Sequence, residues 1–182
     1  YELRGETLSN LFMINGHHEC LEIAHYMGCP IDEDVCLVAA ESGQLATLQW
    51  ALEIVQYATV VGWRDEPPRG EDLCARAAMF GHLNILVWLR AQTPPVPWDH
   101  EVCNVAAAEG QLEVLQWARA QTPPCPWGDP SYYAARRGHV NVLHWLRAQD
   151  PPCPWTGDAI SCAVASRSMS SHTPALKRRT SW

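Results

Sequence analysis

Residues 101–126 show a pattern of apolar and polar positions that runs through most of the chain. Gly110 separates two apolar stretches, and Pro123 and Pro124 close the second one. The first stretch has small side chains, at Val102, Cys103, Val105, Ala106 and Ala107. The second has helical spacing, with apolar side chains at Leu112, Val114, Leu115, Trp117 and Ala118. Because glycine suits a left-handed turn and proline ends a helix, the pattern predicts helix, tight turn, helix and loop.

This unit recurs in register along the sequence. The motif Ala-Ala-x-x-Gly occurs four times and ends at Gly43, Gly81, Gly110 and Gly138. Each of these glycines is followed seven residues later by a tryptophan. The word Pro-Pro-x-Pro-Trp occurs at residues 94–98, 123–127 and 151–155. Weaker copies at residues 16–31 and 162–166 bring the expected array to about five units and half of a sixth, over residues 1–166.

One unit is too small to bury its own apolar surface, so the copies are expected to stack. The alanine pairs let neighbouring first helices approach closely, and the second helices remove apolar area from water against the next copy. The tryptophans after the turns are therefore expected to pack on the core, at Trp50, Trp88, Trp117 and Trp145. The predicted fold class is all-α, a solenoid of stacked helix–turn–helix repeats.

Two regions depart from the period. The interval from Gly43 to Gly81 is 38 residues, against 29 for the next interval. The apolar residues 50–57 predict a longer second helix there, and residues 63–72, with two prolines and a glycine, predict a loop. Residues 167–182 are rich in Ser and Arg without an apolar period, which predicts a disordered basic tail.

The composition argues against several classes of partner. Hydrophobic residues make up 47% and charged residues 18%, as in globular proteins, and the net charge is −7. Nucleic-acid binding needs clustered Lys and Arg, so no nucleic acid is expected. No apolar run approaches the roughly 18 residues of a membrane span, and no signal peptide is recognisable. We expect an intracellular protein, in the cytoplasm or the nucleus, and a piece of a longer chain, because Tyr1 is not Met.

The eight cysteines occupy repeated positions. One position in the first helix holds Cys36, Cys74, Cys103 and Cys162, and one in the loop holds Cys29, Cys125 and Cys153. Free cysteine packs as a small hydrophobe, and equivalent positions of stacked helices lie on the order of 10 Å apart, too far for a disulfide. Packing is therefore expected. A close cluster of ligand-type residues, His17, His18 and Cys20, lacks the second pair that a zinc site uses, so no metal, cofactor or small-molecule ligand is expected.

An enzyme needs a nucleophile beside a base, or paired carboxylates, in a pocket. The candidate carboxylates Glu41, Glu109 and Glu113 are single and aligned with the repeat, and the glycines occur one per unit at turns. No catalytic residue is predicted, and the chain is expected not to be an enzyme.

The stretch Ala77-Ala78-Met79-Phe80-Gly81-His82-Leu83-Asn84-Ile85-Leu86 resembles the ankyrin repeat, and residues 134–143 match nearly as well. The resemblance covers about residues 6–166. It departs from the family in its Pro-Pro-Cys-Pro-Trp loop and in a unit of 28–29 residues, against about 33 in ankyrin repeats. This variant resembles divergent arrays of algae, protists and large DNA viruses. The resemblance implies a turn contact for His17, His82 and His139.

The resemblance also implies a binding scaffold whose partner is another protein. The two residues between Ala-Ala and Gly then line the concave face, which gives Glu41, Ser42, Met79, Phe80, Ala108, Glu109, Arg136 and Arg137 as partner-binding candidates. A second candidate surface is the aromatic edge of the loops, at Trp98, Trp127 and Trp155, unless those rings only cover the helix ends. Two other functions stay open: a purely structural spacer, and the substrate-recruiting part of a ubiquitin-ligase adaptor.

Overall fold

The computed structural model describes residues 18–29, 31, 33–60, 70–149 and 153. This part of the chain is entirely helical and contains no strand, which confirms the all-α class. The helices are α1 (His18–Tyr26), α2 (Glu33–Glu41), α3 (Leu45–Val60), α4 (Gly70–Met79), α5 (Leu83–Arg90), α6 (Glu101–Ala108), α7 (Leu112–Ala120), α8 (Pro130–Arg137) and α9 (Val140–Arg147).

A left-handed glycine joins the two helices of each pair. Gly110 lies between α6 and α7 with φ +73°, and the other three turn glycines have φ between +74° and +79°. Few residues other than glycine adopt this region without strain. The repeated glycine therefore reverses the chain within two or three residues, as the sequence pattern predicts.

The first helices of the pairs (α2, α4, α6 and α8) lie side by side, each in contact with the next. Each second helix (α3, α5, α7 and α9) packs on the first helix of its own pair. The alanine pairs lie on the first helices and are fully buried, at Ala39, Ala40, Ala77, Ala78, Ala106, Ala107, Ala134 and Ala135. Methyl side chains at these positions let the backbones of neighbouring helices approach closely.

The second helices contribute the larger apolar side chains. Leu48, Leu86 and Leu115 occupy one repeated position and are completely buried, and Leu146 of α9 is completely buried as well. Burial of a leucine stabilises the fold by roughly 1.5–3 kcal/mol. The four tryptophans of these helices, Trp50, Trp88, Trp117 and Trp145, are partly buried and pack against this core, so the predicted packing is confirmed.

The loops after α5 and α7 fold back on the ends of these helices. The backbone N–H of Val96 donates to the carbonyl of Leu89 at 3.1 Å, and that of Cys125 donates to Ala118 at the same distance. Arg119 also donates to the carbonyl of Cys125. These bonds hold the proline-rich loops against their helices without a hairpin.

The long interval between Gly43 and Gly81 contains the longer second helix that the sequence predicts, since α3 has 16 residues. The predicted loop over residues 63–72 is wrong at its end, since residues 70–72 form the first turn of α4. Glu71 and Asp72 stabilise that turn, because acidic side chains near a helix N-terminus interact favourably with its dipole. The predicted tail at residues 167–182, the partial copy at residues 162–166 and the chain before His18 lie outside the described residues.

No helix within the described ranges is both long and apolar enough to cross a membrane.

Candidate functional site

A cleft of about 290 Å³ opens where the C-terminal ends of α4, α6 and α8 come together. Five of the predicted partner-binding residues line it, namely Met79, Ala108, Glu109, Arg136 and Arg137. The structure therefore brings side chains from three successive units into one site. Glu41, Ser42 and Phe80 are not among the residues that line the cleft.

Those three residues also lie at the C-terminal ends of first helices, Glu41 and Ser42 at α2 and Phe80 at α4. Ser42 is exposed and Glu41 is partly buried at the end of α2. Phe80 directly follows α4, is 49% exposed and stacks on the ring of His82, with centroids 6.5 Å apart. We call the surface formed by these predicted residues, Glu41, Ser42, Met79, Phe80, Ala108, Glu109, Arg136 and Arg137, the helix-end face.

Sequence reasoning missed three side chains that line the cleft, those of Asn104, Val105 and Tyr133. Each lies four residues before a predicted one, at Ala108, Glu109 and Arg137 respectively. Residues four apart are neighbours on one face of a helix, so this spacing was a usable signal. Asn104 has a structural role as well, because its Oδ1 accepts the backbone N–H of Asp129 at 2.8 Å.

Ion pairs link neighbouring units along the helix-end face. Arg137 Nη2 lies 3.2 Å from Glu109 Oε1, and Arg76 pairs with Glu41. Both pairs are partly exposed, so they position side chains more than they stabilise the fold. Within the part of the chain that the structure describes, Arg136 makes no ion pair, although it is exposed and lines the cleft.

The backbone of this face is held by side chains from the following unit. His82 Nε2 lies 2.7 Å from the carbonyl oxygen of Glu41, and His139 Nε2 lies 2.8 Å from that of Ala108. Gln111 replaces the histidine between them and donates to the carbonyl of Met79 at 3.3 Å. The predicted turn contact is thus present for both described histidines, and His17 lies outside the described residues.

These contacts require the turn glycines. A Cβ atom on Gly110 would come within 2.7 Å of the His139 ring, and one on Gly43 would come equally close to His82. At Gly81 the side chain of Gln111 occupies the same space. The glycine therefore supplies both the left-handed turn and the room for the next unit's side chain.

The loop tryptophans pack between successive units. The Trp98 ring meets Trp117 of α7 edge-on at 5.7 Å, and the Trp127 ring meets Trp145 of α9 at 6.2 Å. Arg119 lies 4.1 Å from the centre of the Trp127 ring, and Arg90 lies over Trp98 in the same way. Both rings are partly buried, as expected if they cover the helix ends, and Trp155 lies outside the described residues. A role of this edge in holding a partner stays a prediction.

The seven described cysteines form no disulfide with one another, and Cys36, Cys74 and Cys103 are completely buried as predicted. Burial raises the pKa of Cys74 to about 12 and that of Cys153 to about 11. A hydrogen bond with the Cys125 thiol, together with burial, raises the pKa of Cys103. This pairing joins a first-helix cysteine to a loop cysteine 22 residues later, a relationship that we did not predict. Among the described residues, no three His, Cys, Asp or Glu side chains are placed to hold a metal ion.

Comparison with known proteins adds no relative. A scan against models of protein families matched none of them, and a search of curated proteins found no significant match.

Proposed function

We propose that the chain is a solenoid of ankyrin-type repeats that binds another protein through the helix-end face and has no catalytic role. The side-by-side first helices, the left-handed turn glycines and the histidine contacts between units support this family assignment. The assignment rests on these features together with the sequence resemblance.

The cleft at the ends of α4, α6 and α8 is the observation that carries the binding function. The repeated residues of the chain are explained by stacking, whereas the side chains that line the cleft differ from unit to unit. Met79, Glu109 and Arg136 come from three units and offer an apolar, an acidic and a basic group. Such a varied surface suits recognition of one partner, since complementary charge and shape give specificity.

A purely structural spacer would not need this variation, and the exposed ring of Phe80 favours binding. Large exposed apolar side chains are typical of protein interfaces.

Affinity capture with the immobilised chain tests the proposal. We expect a defined partner to be retained from an extract of the source cells and identified by mass spectrometry. The double variant Phe80→Ala/Arg136→Ala should reduce its recovery by at least about tenfold, because both side chains are exposed on the helix-end face. Arg147→Ala is the matched control, since Arg147 is an exposed arginine of α9 outside the cleft.

Equal recovery by the double variant and the control would contradict the proposal. Circular dichroism of both variants establishes that they are folded, so a lost interaction can be assigned to the surface.

A further inference from the structure

We propose that the cleft binds an extended peptide segment of the partner in which an Asp or Glu side chain lies next to an apolar residue. This inference rests on the proposed function and names the chemistry of the partner. Arg136 receives the carboxylate, and the apolar neighbour packs against Met79, Val105 and Tyr133.

The local charge is the first reason. The helix-end face and its ion-pair partner Arg76 together hold two carboxylates, Glu41 and Glu109, and three guanidinium groups, Arg76, Arg136 and Arg137. Two cations are paired with the two acids, which leaves one positive charge on Arg136. The whole chain carries a net charge of −7, so this site has the opposite sign to the protein. A complementary partner therefore presents a negative group here.

The chemistry of arginine is the second reason. A guanidinium group presents its N–H donors as a planar fork that matches a carboxylate with two parallel hydrogen bonds. The Arg136 side chain is exposed before binding, so only part of its hydration is lost when an acid approaches. Glu109 holds the neighbouring Arg137 at 3.2 Å through Nη2, and this pair fixes one wall of the cleft.

The size and the apolar lining of the cleft are the third reason. Its volume of about 290 Å³ lies just below the roughly 300–1,000 Å³ of sites for small molecules. Side chains from a peptide fit such a cleft better than a large ligand. The side chains of Met79, Val105 and Tyr133 are partly buried and line the cleft together with Arg136, so an acidic and an apolar group bind side by side.

Selection from a phage-displayed library of short random peptides tests the proposal with the chain itself as bait. We expect the selected peptides to be enriched in Asp or Glu adjacent to Leu, Ile, Phe or Met. A synthetic peptide of the enriched sequence should bind at least about tenfold more weakly to Arg136→Gln than to the unchanged chain. Arg147→Gln should retain the affinity, and replacing the acid by its amide should weaken binding to the unchanged chain but not to Arg136→Gln.

The outcomes separate this inference from the proposed function. Peptides that compete with the captured partner but show no preference for acids would overturn the inference and leave the binding function in place. Acidic peptides that bind Arg136→Gln as well as the unchanged chain would overturn it also. A chain that selects no peptide and captures no partner would contradict both proposals.

Discussion

His139 donates a hydrogen bond from Nε2 to the carbonyl oxygen of Ala108, across a distance of 2.8 Å and over the turn at Gly110. A carbonyl oxygen only accepts hydrogen bonds, so the ring must carry its proton on Nε2. His82 makes the same contact with the carbonyl oxygen of Glu41 two units earlier. Each bond ties a unit to the end of the preceding first helix, which is where the candidate binding residues lie.

Removal of this bond should destabilise the fold. We expect His139→Ala to lower the free energy of unfolding by about 1 kcal/mol, the usual contribution of one hydrogen bond. His139→Gln should lose much less, because Gln111 makes the equivalent contact with Met79. Urea denaturation measures both values. Equal losses in the two variants would show that the ring packs without a contribution from the hydrogen bond.

The turn glycines give a matched pair of variants. Gly138 and Gly110 both have positive φ, but a Cβ atom on Gly138 meets no atom of the described residues within 4 Å, whereas one on Gly110 collides with His139. Gly138→Ala should cost about 1–2 kcal/mol from backbone strain alone, and Gly110→Ala should cost more. The excess should shrink when His139→Ala is combined with Gly110→Ala, which a double-mutant cycle in urea measures. If the extra cost of Gly110→Ala is unchanged in the double variant, the added methyl group does not collide with the His139 ring.

The packing of the loop tryptophans depends on the arginines that cover them. Arg119→Ala removes both the hydrogen bond to the Cys125 carbonyl and the cation over the Trp127 ring. We expect a loss of about 1–2 kcal/mol in unfolding free energy and an increase in tryptophan fluorescence quenched by acrylamide. Arg136→Ala, which removes an exposed arginine that makes no ion pair among the described residues, should change neither quantity. Unaltered quenching in Arg119→Ala would mean that the loop keeps its place without the arginine.

The buried thiols predict a dependence of stability on alkaline pH. Folding raises the pKa of Cys74 from 9.0 to about 12, so between these values the unfolded chain releases a proton that the folded chain keeps. The stability that the protonated, buried thiol contributes is therefore fully present below pH 9 and is lost as the pH rises towards 12. Urea denaturation across this pH range should show that the free energy of unfolding falls less steeply with pH for Cys74→Ala than for the unchanged chain. Identical slopes would contradict the assignment of this thiol.

The same burial predicts the order in which the thiols react. At pH 8, iodoacetamide should modify the partly buried Cys20 and Cys29 well before the completely buried Cys74 and Cys103. Mass spectrometry of peptides at successive times gives the order. Early modification of Cys74 in the native chain would be inconsistent with its burial.

Local spacing explains why much of the fold was predictable. An alanine pair followed by glycine specifies a close helix contact and a left-handed turn, and both are found wherever the motif lies in the described residues. The start of α4 was not predictable in this way, because Gly70 suggests a loop until the acids that follow it are seen to stabilise a helix.

The candidate site was predictable only in part. The resemblance implied five of the cleft residues, through their position before the turn glycine, whereas Tyr133 was missed although it lies four residues before Arg137. The pairing of Arg137 with Glu109 and the contact of Cys103 with Cys125 depend on how separate segments pack. No periodic pattern reports distances of that kind, and the structure was needed to find Arg136 without an ion pair among the described residues.

Hydrogen–deuterium exchange with and without the captured partner tests the central claim, that the helix-end face is the binding surface. The account predicts protection on binding at the C-terminal ends of α4, α6 and α8, around Phe80, Glu109 and Arg136, with little change on the outward sides of α5, α7 and α9. Protection confined to the second helices or to the loops at Trp98 and Trp127 would contradict it.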